Sequence, residues 1–261
     1  IAICAPFAFP HWRAMVRNAR ELAIVGLLCG GTFALYITAL LFTDVVHAIL
    51  MFYLTPVWST VAARIVFGAS LTWTRAGVIA CGFAGLYAIL GAESGLPMPS
   101  RFGDWMALAS GICWALGSLY LFRGVKSGFA EQLFGFAVGG LVVTLVLIPV
   151  LPGPDFFAGS YLDPERLSWK PFAAGIAMAT FMMPANFVVL WAASKLEPAR
   201  VGILLMMEVV VGVTTAAGWS GEPFGWREAL GAGLIVAAGL IEVMQRTDPA
   251  IEARAKPSQP G

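Results

Sequence analysis

Eight long apolar runs constrain this chain more than any other feature, because each approaches the roughly 20 residues that a helix needs to cross a bilayer. They cover residues 21–42, 45–65, 74–92, 104–122, 131–151, 171–193, 200–219 and 228–245. Backbone groups in lipid must be bonded within the structure, which leaves helices or a closed barrel, and barrel strands would alternate polar and apolar residues over about 10 positions. The expected fold is an all-α integral membrane bundle with eight full transmembrane helices. Ahead of the first run stands only an apolar stub from Ile1 to Phe9.

Composition removes several other classes. Hydrophobic residues make up 59% and charged residues 12%, against about 25% charged in a soluble domain. Intrinsic disorder needs the opposite balance. A net charge of +1 supplies no field to hold a polyanion, so nucleic acid is not an expected partner. Cys4, Cys29, Cys81 and Cys113 sit inside apolar runs without CxxC spacing or a nearby histidine, so they read as small core residues, with no metal and no cofactor implied. His11 and His47 are the only histidines, which leaves little room for histidine-based catalysis.

Basic residues divide unevenly between the two sets of connections. One set holds Arg13, Arg17, Arg20, Arg64, Arg75, Arg123, Lys126, Lys195, Arg200, Arg246, Arg254 and Lys256, and the other only Arg101, Arg166, Lys170 and Arg227. The positive-inside rule places the first set in the cytoplasm. Eight crossings put residues 10–20 and the C-terminal tail on that same side. The tail, 246–261, has no apolar face and is expected to be disordered.

The chain also repeats itself. At an offset of 153 residues Asp44 falls on Glu197, His47 on Arg200, Val57 on Val210, Gly68 on Gly221 and Trp73 on Trp226. One inserted residue later, Gly77 matches Gly231 and Gly85 matches Gly239. The first run then corresponds to the sixth, and the five crossings between them are an odd number, so the two halves run oppositely through the membrane. Such inverted repeats are a common plan of secondary transporters. The second half has two runs ahead of the one that matches 21–42, whereas the first half has only the stub, so the chain is expected to lack its natural N-terminus. This divides it into a first repeat over 1–92, N-terminally incomplete, a linker over 93–103 and a second repeat over 104–245.

Three stretches carry a family resemblance: YLTPVWSTVAARIVFGASLTW (Tyr53 to Trp73), GDWMALASGICWALGSLYLFRG (Gly103 to Gly124), and the run from Glu197 to Val243 that contains GEPFGW. In this order they resemble the EamA-type family of the drug/metabolite transporter superfamily. There a Gly-Asp opens the sixth helix with a Trp ten residues on, and a Gly-Glu-Pro precedes the tenth. Gly68-Ala69-Ser70 stands where the first half commonly has Gly-Glu-Pro. The resemblance implies five plus five helices when complete, cytoplasmic termini, the bacterial inner membrane as location, and export of amino acids or other small metabolites.

Helical spacing nominates the pathway, since residues i, i+4 and i+8 share a face. His47, Met51, Thr55 and Ser59 form one stripe, Ser110, Trp114 and Ser118 a second, and Cys29, Thr32 and Tyr36 a third. A cavity accounts for three such stripes together, although Ser and Thr in membrane helices also bond their own carbonyls or glue neighbours. Interrupted spans at corresponding places mark binding sites. Gly30 and Gly31 correspond to Pro184, with Asn186 just beyond, and Pro56 follows Thr55. Gly30, Gly31, Pro56 and Pro184 are the candidate hinges. Gly135-x3-Gly139 reads as a close helix contact. Glu208 is the one ionisable residue deep inside a run, where an acid costs on the order of 2.5–3.5 kcal/mol and so faces a cavity, carries protons, or is held protonated against a neighbouring helix. Glu242 and Arg64 lie near span ends, within snorkelling reach.

The reading is a secondary transporter, exporting small organic metabolites by alternating access around a midplane cavity lined by Tyr36, Tyr53, Thr55, Trp114, Asn186 and Glu208. The aromatics would cage the solute, Thr55 and Asn186 would bond its polar groups, and Glu208 would take a proton or a substrate amine. The lipid bilayer is the other partner. No phosphate-cradling loop occurs, so a gradient and not ATP would drive transport. An intramembrane enzyme acting on a lipid or small apolar substrate is the alternative class, and it lacks a deep His, a carboxylate pair or a metal cluster. A channel would need a ring of like groups that the runs do not offer.

Overall fold

The computed structural model describes residues 9–70, 72–90, 98–150, 169–219 and 225–245. The stub up to Ala8, residues 93–97 of the 93–103 connection and the 246–261 tail lie outside these residues. After a short α1 (Trp12–Arg17) the chain forms α2 (Ala19–Ala39), α3 (Val45–Phe52), α4 (Thr55–Phe67), α5 (Trp73–Leu90), α6 (Phe102–Phe122), α7 (Phe129–Leu147), α8 (Trp169–Lys195), α9 (Pro198–Leu205), α10 (Met207–Trp219) and α11 (Trp226–Met244). It is an all-α, multi-pass membrane bundle. Among the described residues seven stretches, with α3–α4 and α9–α10 each counted as one, are long and apolar enough to cross a membrane. The eighth run forms α11, which carries three charged residues, Arg227, Glu228 and Glu242.

Two spans break near their middles for local reasons. Pro56 has no N–H to offer the carbonyl of Phe52, and the Thr55 hydroxyl donates to it instead, at 2.5 Å. The chain passes the junction on tightened bonds from Leu54 N to Met51 O and from Val57 N to Leu54 O. The second break, at Met206, uses no proline. Met206 N bonds Ile203 O and Val209 N bonds Met206 O, both at 3.1 Å, so the same short i→i−3 pattern interrupts the helix. Within α2 the break is milder, a π turn over Gly26–Gly30.

Contacts at the helix ends set the directions. Arg75, in the first turn of α5, pairs with Glu197, which caps α9. α5 begins five residues beyond Gly68, the C-cap of α4, so α9 starts at the face where α4 ends. The two broken spans are therefore antiparallel. They cross in contact, with Gly202 of α9 seated on Pro56 of α4 and Val46 and Ile49 of α3 in the cluster that holds Val209 and Val210 of α10.

Close packing depends on glycine at two places. A Cβ on Gly26 or Gly30 in the π turn would strike the backbone carbonyl of Gly135 or Phe136 on α7, and a Cβ on Gly139 would strike the backbone of Gly26. The Gly135-x3-Gly139 spacing is thus a contact within the chain. On the other side α5 and α11 cross where a Cβ on Gly85 would lie 2.6 Å from Gly231 O, and one on Gly231 2.5 Å from Gly85 O. Without side chains at these points, van der Waals packing between helices takes over the role that water-driven burial has in soluble proteins. Outward faces remain apolar, with Ile176, Phe181 and Val188 of α8 exposed, as lipid contact requires.

Candidate functional site

The two breaks meet. Tyr53 ends α3 and donates its hydroxyl to the carbonyl of Leu205, the last residue of α9, at 3.0 Å. That carbonyl is one of those a helix end leaves without an internal partner. The ring of Phe52 stands between Tyr36, 5.1 Å away, and Tyr53, 5.3 Å away, giving an aromatic ladder from α2 to the crossing. Glu208 is the second residue of α10, where the helix dipole favours an anion, and it is exposed. Its carboxylate lies near both phenols. Tyr36, Tyr53 and Glu208, from α2, the end of α3 and α10, therefore share one place.

The remaining nominated residues are placed differently. Thr55 is buried, with its hydroxyl on Phe52 O and 3.4 Å from Gly111 O. Trp114 is buried among Val25, Cys29 and Leu190. Asn186 donates to Met182 O, one turn back on its own helix, at 3.0 Å. The polar stripes do converge, but on one another: Thr32 bonds Leu28 O and reaches Ser110 O at 3.2 Å, while Ser110 and Ser118 bond carbonyls of their own helix. Glycines let this happen, since Gly111 lies against Phe52 and Thr55 and Gly117 against Cys29. The hydroxyls of Thr32, Thr55, Ser110 and Ser118 therefore find backbone partners in a tight contact, where a cavity lining was expected of them, while the buried hydroxyl of Ser59 has no partner among the described residues. Among the hinges, Gly30 closes the π turn and Gly31 opens the α-helix after it, and Pro56 sits just past a full break. Pro184 differs from expectation, because α8 runs through it from Trp169 to Lys195. One lost N–H leaves the helix bonded on both sides.

Sequence reasoning missed a buried ionic cluster at the Arg/Lys-rich end. Arg75 forks onto Glu197, with Nη1–Oε1 at 2.5 Å and Nη2–Oε2 at 2.7 Å. Its Nη2 also lies 3.6 Å from Glu242, and Arg200 Nε lies 3.8 Å from the same carboxylate. Arg200 further donates to Gln245 O at 2.7 Å. Glu242 does not snorkel: it is fully buried. These four residues sit at the ends of three separate helices, α5, α9 and α11, and only knowledge of which helices are neighbours joins them. Glu197 had given a signal as the repeat partner of Asp44.

At the opposite end Asp44 pairs with Arg101 at 2.5 Å, both side chains mostly exposed. The Gly-Asp that opens α6 acquires a physical role there. Gly103 lets α6 approach Ala39 and Thr43 closely. Asp104 accepts the backbone N–H of Ser100 and of Arg101, each at 2.9 Å, and the Thr43 hydroxyl. It thereby caps the helix and ties it to the turn before α3.

A multi-pass bundle whose broken helices cross at its centre defines a membrane protein of the transporter class, and among the described residues no group of His, Cys, Asp and Glu could hold a metal ion. The chain matches the EamA-like transporter family over residues 1–91 and 101–243 and belongs to it, within the drug/metabolite transporter superfamily. That assigns it to a family of transporters and not of enzymes. It is similar to the threonine/homoserine exporter RhtA of Escherichia coli strains K12 and O157:H7, 24% identical over 159 residues, which are 60% of this chain and 50% of that protein. The chain thus spans about half the length of the curated relatives it matches. A solved crystal structure has the same fold, with a TM-score of 0.66 at 16% identity over 93% of this chain and 84% of that one.

Proposed function

We propose that the protein is a secondary transporter that exports small organic metabolites by alternating access around the crossing of its two broken helices. One observation carries the reading. The breaks at Tyr53 and Met206 lie 153 residues apart, as do the starts of α3 and α9 at Val45 and Pro198 and of α5 and α11 at Trp73 and Trp226. The broken spans are antiparallel and touch through the bond from Tyr53 to Leu205. An inverted repeat is the simplest source of that register, and two such halves can exchange conformations so that a central site opens to each face in turn. The boundaries proposed for the halves are 1–92 and 104–245.

In this reading Tyr36 and Tyr53 cage the solute, and Glu208 takes a proton or the solute's amine. Asn186, bonded to Met182 O in the conformation described, would turn from α8 to the solute's polar groups. Thr55 and Trp114, covered in the conformation described, line the pathway after α4 and α6 part. The Arg/Lys-rich face and the C-terminus lie in the cytoplasm of a bacterial inner-membrane protein. The solute gradient or a proton gradient supplies the driving force. Threonine and homoserine are the solutes to try first, because a similar protein is named as their exporter.

Flux of labelled threonine and homoserine in proteoliposomes tests this. A proton role for Glu208 predicts that Glu208→Gln loses accumulation driven by a pH gradient but retains solute exchange, since exchange needs no net proton movement. A role in binding the amine predicts that both fail. Tyr53→Phe removes one hydrogen bond at the crossing, worth about 1 kcal/mol, and should slow flux about fivefold. Full activity in both variants would remove the crossing as the site, and flux no faster than in protein-free liposomes for any metabolite would remove transport itself.

A further inference from the structure

We propose that Arg75, Glu197, Arg200 and Glu242 form the closed gate of the solute pathway at the Arg/Lys-rich face, with Asp44 and Arg101 as its open counterpart at the other face. The proposal rests on the alternating-access reading. The cluster joins the starts of α5 and α9 to the end of α11, so it ties one broken span to both members of the glycine-packed pair. No movement of α9 away from α5 and α11 at this face is possible without separating these charges.

Its chemistry suits a contact that opens. Two arginines and two glutamates sum to zero, so the cluster can close without stranding a net charge in a region that excludes water. Only the fork between Arg75 and Glu197 is made at hydrogen-bond distance. Glu242 stands 3.6 Å and 3.8 Å from its two arginines, and neither of its oxygens has a partner within hydrogen-bond distance among the described residues. A static staple gains by completing such bonds. A buried carboxylate left half engaged makes the closed state less deep, so water entering as the helices part can replace what is lost.

The other face supplies the contrast. Asp44 stands 153 residues before Glu197 and precedes α3 as Glu197 precedes α9. Its pair with Arg101 leaves the two side chains 62% and 57% exposed, whereas those of Glu197 and Arg75 are 0% and 6% exposed. Equivalent acids thus hold a dry contact at one end and a wet one at the other. A molecule that alternates between faces has this asymmetry when it is shut at one of them.

Cysteine accessibility decides the matter in the protein with its native cysteines replaced by alanine. Ala199, fully buried between Glu197 and Arg200, becomes the reporter, and Ala107 of α6, equally buried and remote from the cluster, the control. An impermeant maleimide is offered at the Arg/Lys-rich face of inverted vesicles. Glu197→Gln and Arg75→Gln should each raise the labelling rate of Ala199→Cys at least tenfold and leave Ala107→Cys unchanged, while Arg75→Lys raises it less. Should either variant fail to fold, Glu242→Gln, which keeps the shape of the side chain, gives the same reading. An unchanged rate at Ala199 overturns the gate, and so does a parallel rise at both positions, which would mean a staple whose loss loosens the whole bundle. Because labelling needs no solute, failure of the transport reading appears separately, as absent flux.

Discussion

Asp104 illustrates how a residue that looks like a pathway group can be structural. A carboxylate at the start of a membrane helix invites a role in binding, yet its oxygens are engaged by two backbone N–H groups and the Thr43 hydroxyl. Hydrogen bonds to a charged group contribute about 1.5–3 kcal/mol each, and cap removal costs of order 1 kcal/mol. Asp104→Ala should therefore lower stability by about 2–4 kcal/mol, read as an earlier thermal transition in detergent, with solute affinity retained in the folded fraction. Glu208 stands at the opposite extreme, exposed and close to two phenols. Its sequence position singled it out because it alone is charged deep in a run. For Thr55 and Trp114 the sequence offered polarity at the right spacing and no means of knowing that Gly111 and Gly117 bring a neighbouring helix onto that face.

Among the elements, glycine decides which helices touch. Gly139 of α7 meets the backbone of Gly26, whereas Gly77 of α5 has nothing within 4 Å of where its Cβ would stand. Gly139→Ala should destabilise the protein by about 1–3 kcal/mol through overpacking. Gly77→Ala should be neutral or stabilise by up to about 1 kcal/mol, because alanine is the better helix former. Thermal unfolding of the two variants side by side checks the pair, and equal behaviour would mean that α2 and α7 do not pack as described. The helix breaks divide along the same line. Pro56 announced the first in the sequence, while the one at Met206 has no proline or glycine at the junction and was not expected. Pro184, the more conspicuous signal, leaves α8 unbroken.

For the molecule as a whole, charge bias predicts which face meets the cytoplasm. Lys126 and Met98 are exposed in connections at opposite ends of the bundle, and the excess of Arg and Lys lies with Lys126. In a cysteine-free background an impermeant maleimide added to intact cells should label Met98→Cys and leave Lys126→Cys unlabelled until the cells are opened. The reverse pattern would turn the molecule over, and the proposed gate would then guard the outer face.

Apolar run length, composition and charge bias determined by themselves that this chain spans a membrane as helices, because lipid permits so few ways of satisfying a backbone. The 153-residue register and the family motifs were equally legible, since both are statements about order along the chain. Tertiary structure alone decided that Tyr36, Tyr53 and Glu208 converge, that the polar stripes seal against one another, and that Arg75, Glu197, Arg200 and Glu242 meet in a dry cluster. Each of these depends on which helices are neighbours and how near they come. In a chain where nearly every helix is apolar all round, periodicity does not report the buried face, and small residues at the contacts set the approach.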